Sequence, residues 1–202
     1  MAAPGERSPT VVLMLGEPGS GKTELGTRLA RTLRVPFLAR DDLRTGLYLT
    51  TGGWTDDPGP PPPRDEATAT FLTLVDALAG LGVSCVVEYV IRDDRPEDLE
   101  RITRVAHCVG VRTWCDDAPS RQATRERADP LLRRPPVLAA LGYDGIDEHV
   151  AQSTAHMAAV TSQMRTSFDF PVLAVGTDDG YDPSLPEIVE FIARQGGGQP
   201  SR

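Results

Sequence analysis

Gly16, Gly21, Lys22 and Thr23 stand at the spacing G-x-x-x-x-G-K-[ST], inside the run GEPGSGKT. The spacing has a physical reading. Glycines let the backbone turn tightly enough for its N–H groups to converge on a phosphate. A helix that begins there aims its positive end at the same anion. Lys22 would reach the β- and γ-phosphates of ATP or GTP, and the Thr23 hydroxyl would ligate Mg²⁺. Glu17, Pro18, Gly19 and Ser20 complete the cradle. Of the 21 basic residues Lys22 is the only lysine, so the compact ammonium stands where a phosphate needs a point charge.

Other residue types able to do chemistry lie at the ends of apolar runs. Asp41 and Asp42 follow the run near Val35–Ala39, and Arg44 comes just after. Ligand groups in open parallel sheets gather at such carboxyl ends. Glu88 interrupts the apolar run SCVVEYVI. It is read either as a group facing Mg²⁺ or an acceptor, or as a carboxylate at the sheet edge paired with Arg92. Arg121, Arg125 and Arg127 fall in SRQATRERAD. Arg121 and Arg125 share a helix face at i, i+4, whereas Arg127 points elsewhere. Tyr48 and Trp54 bring aromatic surface to TTGGWTDDPGPPPP, whose glycines and prolines bar regular structure. That segment reads equally as a solvated loop or a substrate flap. The three histidines show no ligand spacing.

The elements that must position these groups follow from periodicity. VVLML is the unbroken apolar run of a strand buried on both faces. A helix is expected from Lys22 to about Leu33, with Leu25, Leu29 and Leu33 as its stripe. Further strands are expected near 35–39, 84–90, 108–114 and 171–175. Helices are expected from Asp65 or Glu66 to Leu81 with Asp65 as N-cap, from Pro96, from Pro119, over Ile146–Met164, and from Pro186 to Arg194. Arg133, Arg134, Pro135 and Pro136 read as a loop. Strands alternate with helices five times, the pattern of an α/β fold with a parallel sheet and right-handed crossovers.

The chain of 202 residues is most simply a single domain, with a core at about 10–194 and tails at 1–9 and 195–202. A net charge of −8 argues against nucleic acid or an anionic membrane as partner. No apolar run approaches membrane-spanning length, and the start MAAPGERSPT lacks an apolar signal segment. Cys85, Cys108 and Cys115 fit no zinc spacing and read as buried thiols of a cytoplasmic protein. A homodimer is compatible with this reading. With a single lysine the chain has no N-K-x-D base motif, which disfavours a GTPase.

GEPGSGKT, then ARDDLR after the second strand, then an arginine-rich segment after the fourth, resembles the small P-loop kinases. The layout is similar to chloramphenicol phosphotransferase, the zeta-toxin-like kinases, and the gluconate and shikimate kinases. The resemblance implies a three-layer α/β/α fold, a five-stranded parallel sheet in order 2-3-1-4-5, and an arginine-bearing lid. It also implies an aspartate after the second strand that contacts and deprotonates the acceptor hydroxyl. That position matches Asp41 or Asp42, and Asp41, first after the strand, is preferred. Lid arginines would neutralise charge on the transferring phosphoryl group, with Arg125 in the catalytic role and Arg121 at the nucleotide. Asp42, Arg44, Tyr48, Trp54, Glu88 and Arg92 would line the acceptor. Tyr48, Trp54, Tyr89 and Tyr143 beside carboxylates suit a neutral or cationic acceptor, so an antibiotic or nucleoside-like natural product is expected. A nucleotide-sugar kinase and an ATP-binding regulatory switch are the alternatives.

Overall fold

The computed structural model describes residues 8–196. At its centre is β1 (Thr10–Leu15), whose five residues from Val11 to Leu15 are all buried. Alternate side chains serve opposite faces. Val11, Leu13 and Leu15 pack with one set of helices, and Val12 and Met14 with the other. This is why the run shows no polar alternation. The other strands are β2 (Phe37–Ala39), β3 (Cys85–Glu88), β4 (His107–Trp114) and β5 (Val172–Gly176). All pair in parallel, in the order β2-β3-β1-β4-β5.

The helices are α1 (Lys22–Leu33), α2 (Arg40–Thr50), α3 (Arg64–Gly80), α4 (Pro96–Val105), α5 (Ala118–Ala128), α6 (Pro135–Ala140), α7 (Ile146–Ser162) and α8 (Leu185–Gln195). On one face of the sheet α3 and α4 bury Phe71, Leu72, Val75, Leu99 and Ile102. On the other α1 and α8 bury Leu25, Leu29, Ile188 and Ile192. The three-layer α/β/α fold and its strand order are as expected, and none of the helices among the described residues is long and apolar enough to cross a membrane.

Several boundaries differ from the sequence reading, each for a local reason. Asp65 is not the cap of α3: the cap position is Pro63, and the Asp65 carboxylate pairs with Arg95 at 2.7 Å. Pro135 and Pro136 open the short helix α6 instead of a loop, because at the first helical positions the missing N–H is no loss. Asp41 and Asp42 lie inside the first turn of α2, which starts at Arg40 and has no side-chain cap. Of the two expected tails, residues 1–7 and 197–202 lie outside the described residues. Pro9 is held, its carbonyl accepting the His107 N–H at 2.9 Å, and residue 195 still belongs to α8.

Candidate active site

The loop after β1 turns through left-handed backbone at Gly16 (φ 127°) and Gly19 (φ 85°). A Cβ at Gly16 would stand 2.3 Å from the Thr113 carbonyl oxygen, and one at Gly19 would stand 2.0 Å from that of Ala118. Both contacts are with backbone, which cannot swing aside. The glycines are therefore required by conformation and by space together. Ser20, fully buried, shares a hydrogen bond with the Thr113 hydroxyl at 2.7 Å and donates to the Glu17 carbonyl at 2.7 Å. Helix α1 then begins behind Gly21, with no side chain capping its first N–H groups. Such a terminus is an anion site.

Lys22 is 6% exposed, and its Nζ donates to the Glu17 carbonyl at 2.6 Å. Burial lowers its pKa, against the opposing charges of Glu88 and Asp41. Glu88 ends β3, in register with Met14 of β1 and Ala39 of β2. It thus stands between the phosphate loop and the strand that delivers Asp41. Its Oε2 is buried without a hydrogen-bond partner. Burial raises its pKa, with the Lys22 charge and the Thr23 hydroxyl acting the other way. Arg92, the alternative partner weighed for Glu88, forks Asp94 instead, at 2.8 and 2.5 Å. Of the two readings of Glu88, the edge ion pair is therefore not the one formed.

The arginines of α5 divide in the way their spacing implies. Ala118 packs on Gly19, so the helix starts against the phosphate loop. Arg121 donates to the Thr177 carbonyl at 3.0 and 3.1 Å and to that of Asp178 at 3.3 Å. This pins α5 to the loop after β5, whose Thr177 hydroxyl donates in turn to the Ser20 carbonyl at 3.0 Å. One turn on, Arg125 Nη1 donates to the Thr23 hydroxyl at 3.2 Å. Arg127 turns away to Asp147 at 3.1 Å.

Asp41 is 80% exposed at the side chain and pairs with Arg40 at 3.0 Å. Partial desolvation raises the pKa of Asp42, although the residue stays accessible, with Arg125 opposing the shift. The remaining acceptor-side residues are dispersed. Arg44 Nε donates to the Pro62 carbonyl at 3.0 Å and so holds the proline-rich segment. Tyr48 is 4% exposed, with Gly53 packed against its ring. Trp54 is 53% exposed under the Arg134 guanidinium. The Tyr89 hydroxyl donates to Asp98, and Tyr143 packs edge-on against His149. These rings form no common wall. Arg134 is the residue the sequence reading missed: it donates to the carbonyls of Gly53, Trp54 and Thr55. Nothing in local periodicity could have linked it to positions about 80 residues earlier.

For Mg²⁺ the donor set fits. Among the described residues there is no cluster of three or more metal-ligating side chains. Mg²⁺ in nucleotide sites takes one or two protein oxygens and the phosphates, and the Thr23 hydroxyl and the orphan oxygen of Glu88 are such a pair. Burial pushes the Cys85 thiol up to about 11 and that of Cys108 to about 12, so both are inert packing groups.

A five-stranded parallel sheet in this order, with a glycine loop and an arginine helix at its carboxyl edge, is the P-loop kinase fold. Solved structures of similar shape agree. A Chloroflexus aurantiacus j-10-fl protein to which kinase activity is ascribed matches at TM-score 0.64 and 19% identity, over 93% of this chain and 98% of that one. Kti12 of Chaetomium thermophilum, in complex with ADP-AlF3, matches at TM-score 0.57 and 12% identity, over 92% and 98%. A gluconokinase from Sinorhizobium meliloti 1021 matches at TM-score 0.53 and 16% identity, over 95% of both chains. No protein-family model and no curated protein matches the sequence.

Proposed function

We propose that this protein is an ATP-dependent kinase that transfers the γ-phosphoryl group to a hydroxyl of a small molecule. One observation carries the reading. Arg125 crosses from α5 to the Thr23 hydroxyl, which brings a lid cation to the end of the phosphate cradle on which Lys22, Glu88 and Asp41 also act. A binding switch needs the cradle; it does not need a carboxylate and a lid cation converging on the end of it.

In this reading residues 16–23 hold the phosphates, and Lys22 leaves the Glu17 carbonyl for the β- and γ-oxygens. Thr23 and Glu88 would hold Mg²⁺, which neutralises charge across the β- and γ-phosphates when bound. Arg125 offsets the charge that develops on the γ-oxygens. Asp41 orients the acceptor hydroxyl in line. As the new O–P bond forms and the β–γ bridging bond breaks, the hydroxyl proton passes to the Asp41 carboxylate. Arg121, committed to backbone carbonyls, positions α5.

The acceptor class follows less from aromatic residues than the sequence suggested. Tyr48 is enclosed with Gly53 against its ring, and Trp54 lies under the Arg134 guanidinium, so neither stands free as a wall for an aromatic acceptor. A polyhydroxylated small molecule is the acceptor we propose, and the gluconokinase of similar fold supports that class. The test is a screen of such acceptors with MgATP, read by mass spectrometry for an added phosphate. ATP hydrolysis with no acceptor modified, together with a stable protein partner, would make the protein a regulatory switch instead.

A further inference from the structure

Helix α5 carries Arg125, yet it has almost no apolar face to hold it in place. Among the described residues α5 buries only Ala118, and α7, which packs on it, buries only Val150. Apolar burial therefore does not fix how α5 is turned about its axis, and polar ties must do so. At its start Arg121 is bonded to the loop after β5. Near its end the tie is Glu126, whose side chain is 12% exposed and turns into α7. Its Oε1 accepts from the Ser153 hydroxyl at 2.7 Å and from the Gln122 amide at 2.9 Å. Its Oε2 is buried without a hydrogen bond and faces His149 Nε2 at 3.7 Å. The His149 ring meets Tyr143 edge-on, with centroids 4.8 Å apart. A carboxylate withdrawn this far from water is costly unless donors meet it, and Ser153 and Gln122 supply them. The Arg127–Asp147 pair at 3.1 Å joins the same two helices, but both side chains are more than half exposed, where such a pair contributes little.

We propose that Glu126 is a positioning residue for phosphoryl transfer: by fastening α5 to α7 it sets the direction in which Arg125 reaches the Thr23 hydroxyl. What Arg125 does there rests on the kinase reading; the socket around Glu126 does not. Successive residues of an α-helix stand about 100° apart. With Glu126 held in α7, Arg125 is turned by that angle toward the phosphate loop, and Arg121 one turn earlier shares its face. Arg125 is itself exposed and bonds Thr23 at 3.2 Å, so its own packing does not hold it there. Rotation of α5 by one residue would carry the guanidinium off Thr23. A cation that must meet the transferring phosphoryl oxygens within hydrogen-bond reach makes the rate sensitive to such an error of angle. Gln122, one turn before Glu126, donates to the same oxygen that Ser153 does and keeps the carboxylate aimed across the contact between the helices. Glu126 itself faces α7 and not the phosphate loop, so its effect passes through Arg125.

The test needs no known acceptor. Calorimetry compares the affinity for MgADP with aluminium fluoride, a mimic of the transferring group, with that for MgADP alone. Wild type, Arg125→Ala, Glu126→Ala, Glu126→Gln and the double variant Arg125→Ala/Glu126→Ala are measured, and amide hydrogen exchange across residues 118–128 is followed in each without nucleotide. Glu126→Ala should speed exchange in α5, leave the affinity for MgADP unchanged, and lower the preference for the fluoride complex about tenfold, the factor that a hydrogen bond to a charged group carries. Glu126→Gln keeps an acceptor for Ser153 and Gln122 and should restore most of that preference. The double variant should be no worse than Arg125→Ala, because residues that act through one another are not additive. Ser153→Ala removes one donor and leaves α5 unaltered; it should lower the preference a few-fold, and it carries the test if Glu126→Ala does not fold. Exchange and preference both unaltered in Glu126→Ala and in Ser153→Ala would overturn the proposal and leave the kinase reading standing. A further loss when Glu126→Ala is added to Arg125→Ala would also overturn it, by showing that Glu126 acts elsewhere. A wild type that binds the two complexes equally would overturn the kinase reading and with it the role in transfer, while faster exchange in Glu126→Ala would still show that Glu126 fastens the helix.

Discussion

The two halves of the candidate site are built by different physics. The nucleotide half is backbone: glycines forced into left-handed turns, a buried serine, an uncapped helix end, all seated on a strand buried on both faces. The acceptor half is side chain: arginines and aspartates at helix ends and in the loop after β3, partly exposed and held by ion pairs. A backbone cradle tolerates few substitutions. A side-chain surface is cheap to alter, since exposed ion pairs contribute about 1 kcal/mol or less each. Specificity belongs on the second kind of surface.

That contrast predicts unequal mutational effects. Lys22→Ala removes the ammonium aimed at the transferring group and should cut transfer by about 10³-fold, measured as kcat with a saturating acceptor; near-normal turnover would undo the kinase reading as a whole. Asp41→Asn keeps shape and loses the proton acceptor. Its effect belongs to the acceptor half alone, so transfer should fall by about 10²- to 10³-fold while ATP affinity and slow hydrolysis by water persist. An unchanged ratio of transfer to hydrolysis would move the role to Asp42 or Glu88.

The same contrast explains what could be read from the sequence. Apolar runs and i, i+4 stripes report burial in their own neighbourhood, so β1, α1, the strand count and the pairing of Arg121 with Arg125 were legible. The nucleotide half is local, which is why one motif spelled it. The acceptor half depends on contacts between distant residues. Arg64 meets His156, Arg44 meets Pro62 and Arg134 meets Gly53, and no periodicity encodes such pairs. Tyr48 reads as aromatic surface because it stands beside a glycine- and proline-rich segment. It is buried because Gly53 folds back over its ring.

Arg125 joins the halves, so its loss should be felt in the transition state more than in ground-state binding. Arg125→Ala should lower kcat by about 10²-fold with little change in ATP affinity. A fall in affinity with turnover retained would reassign it to the nucleotide half. Glu88 sits on the seam. Its folded-state pKa is raised, so the folded chain holds that proton more tightly than the unfolded chain. The stability this gives is fully present below the ordinary glutamate range and is lost as pH rises through the raised value. Glu88→Gln cannot titrate. In melting curves without nucleotide, the variant should therefore gain on wild type across that window and run parallel above it. The pH slope is the readout, because removing a neighbour of Lys22 adds an offset. Parallel curves at every pH would place Glu88 in a solvated setting.

The smallest effect should come from Arg134, and it tests whether the acceptor half is latched. Its guanidinium donates to the carbonyls of Gly53, Trp54 and Thr55 at 2.6, 3.0 and 2.7 Å and lies 5.2 Å from the Trp54 ring centroid. Three acceptors on one fork are a geometry that lysine, a single point donor, cannot reproduce. Arg134→Lys keeps the charge and loses the fork. The segment would then keep its ties to α2, from Arg44 to Pro62 and from the Gly53 N–H to the Tyr48 carbonyl, and lose its latch to the start of α6. Local opening should increase while the core, which Arg134 does not touch, keeps its stability. Limited proteolysis within 51–63 should speed up several-fold, Trp54 emission should shift, and Tm should stay within about 2 °C, as for a surface change of roughly 0.5 kcal/mol. If the segment closes over the acceptor, KM for the acceptor should rise a few-fold with KM for ATP unchanged. Faster cleavage without that rise would make Arg134 a stay for a surface loop. An equal loss on both substrates would show that the two halves are not mechanically separate.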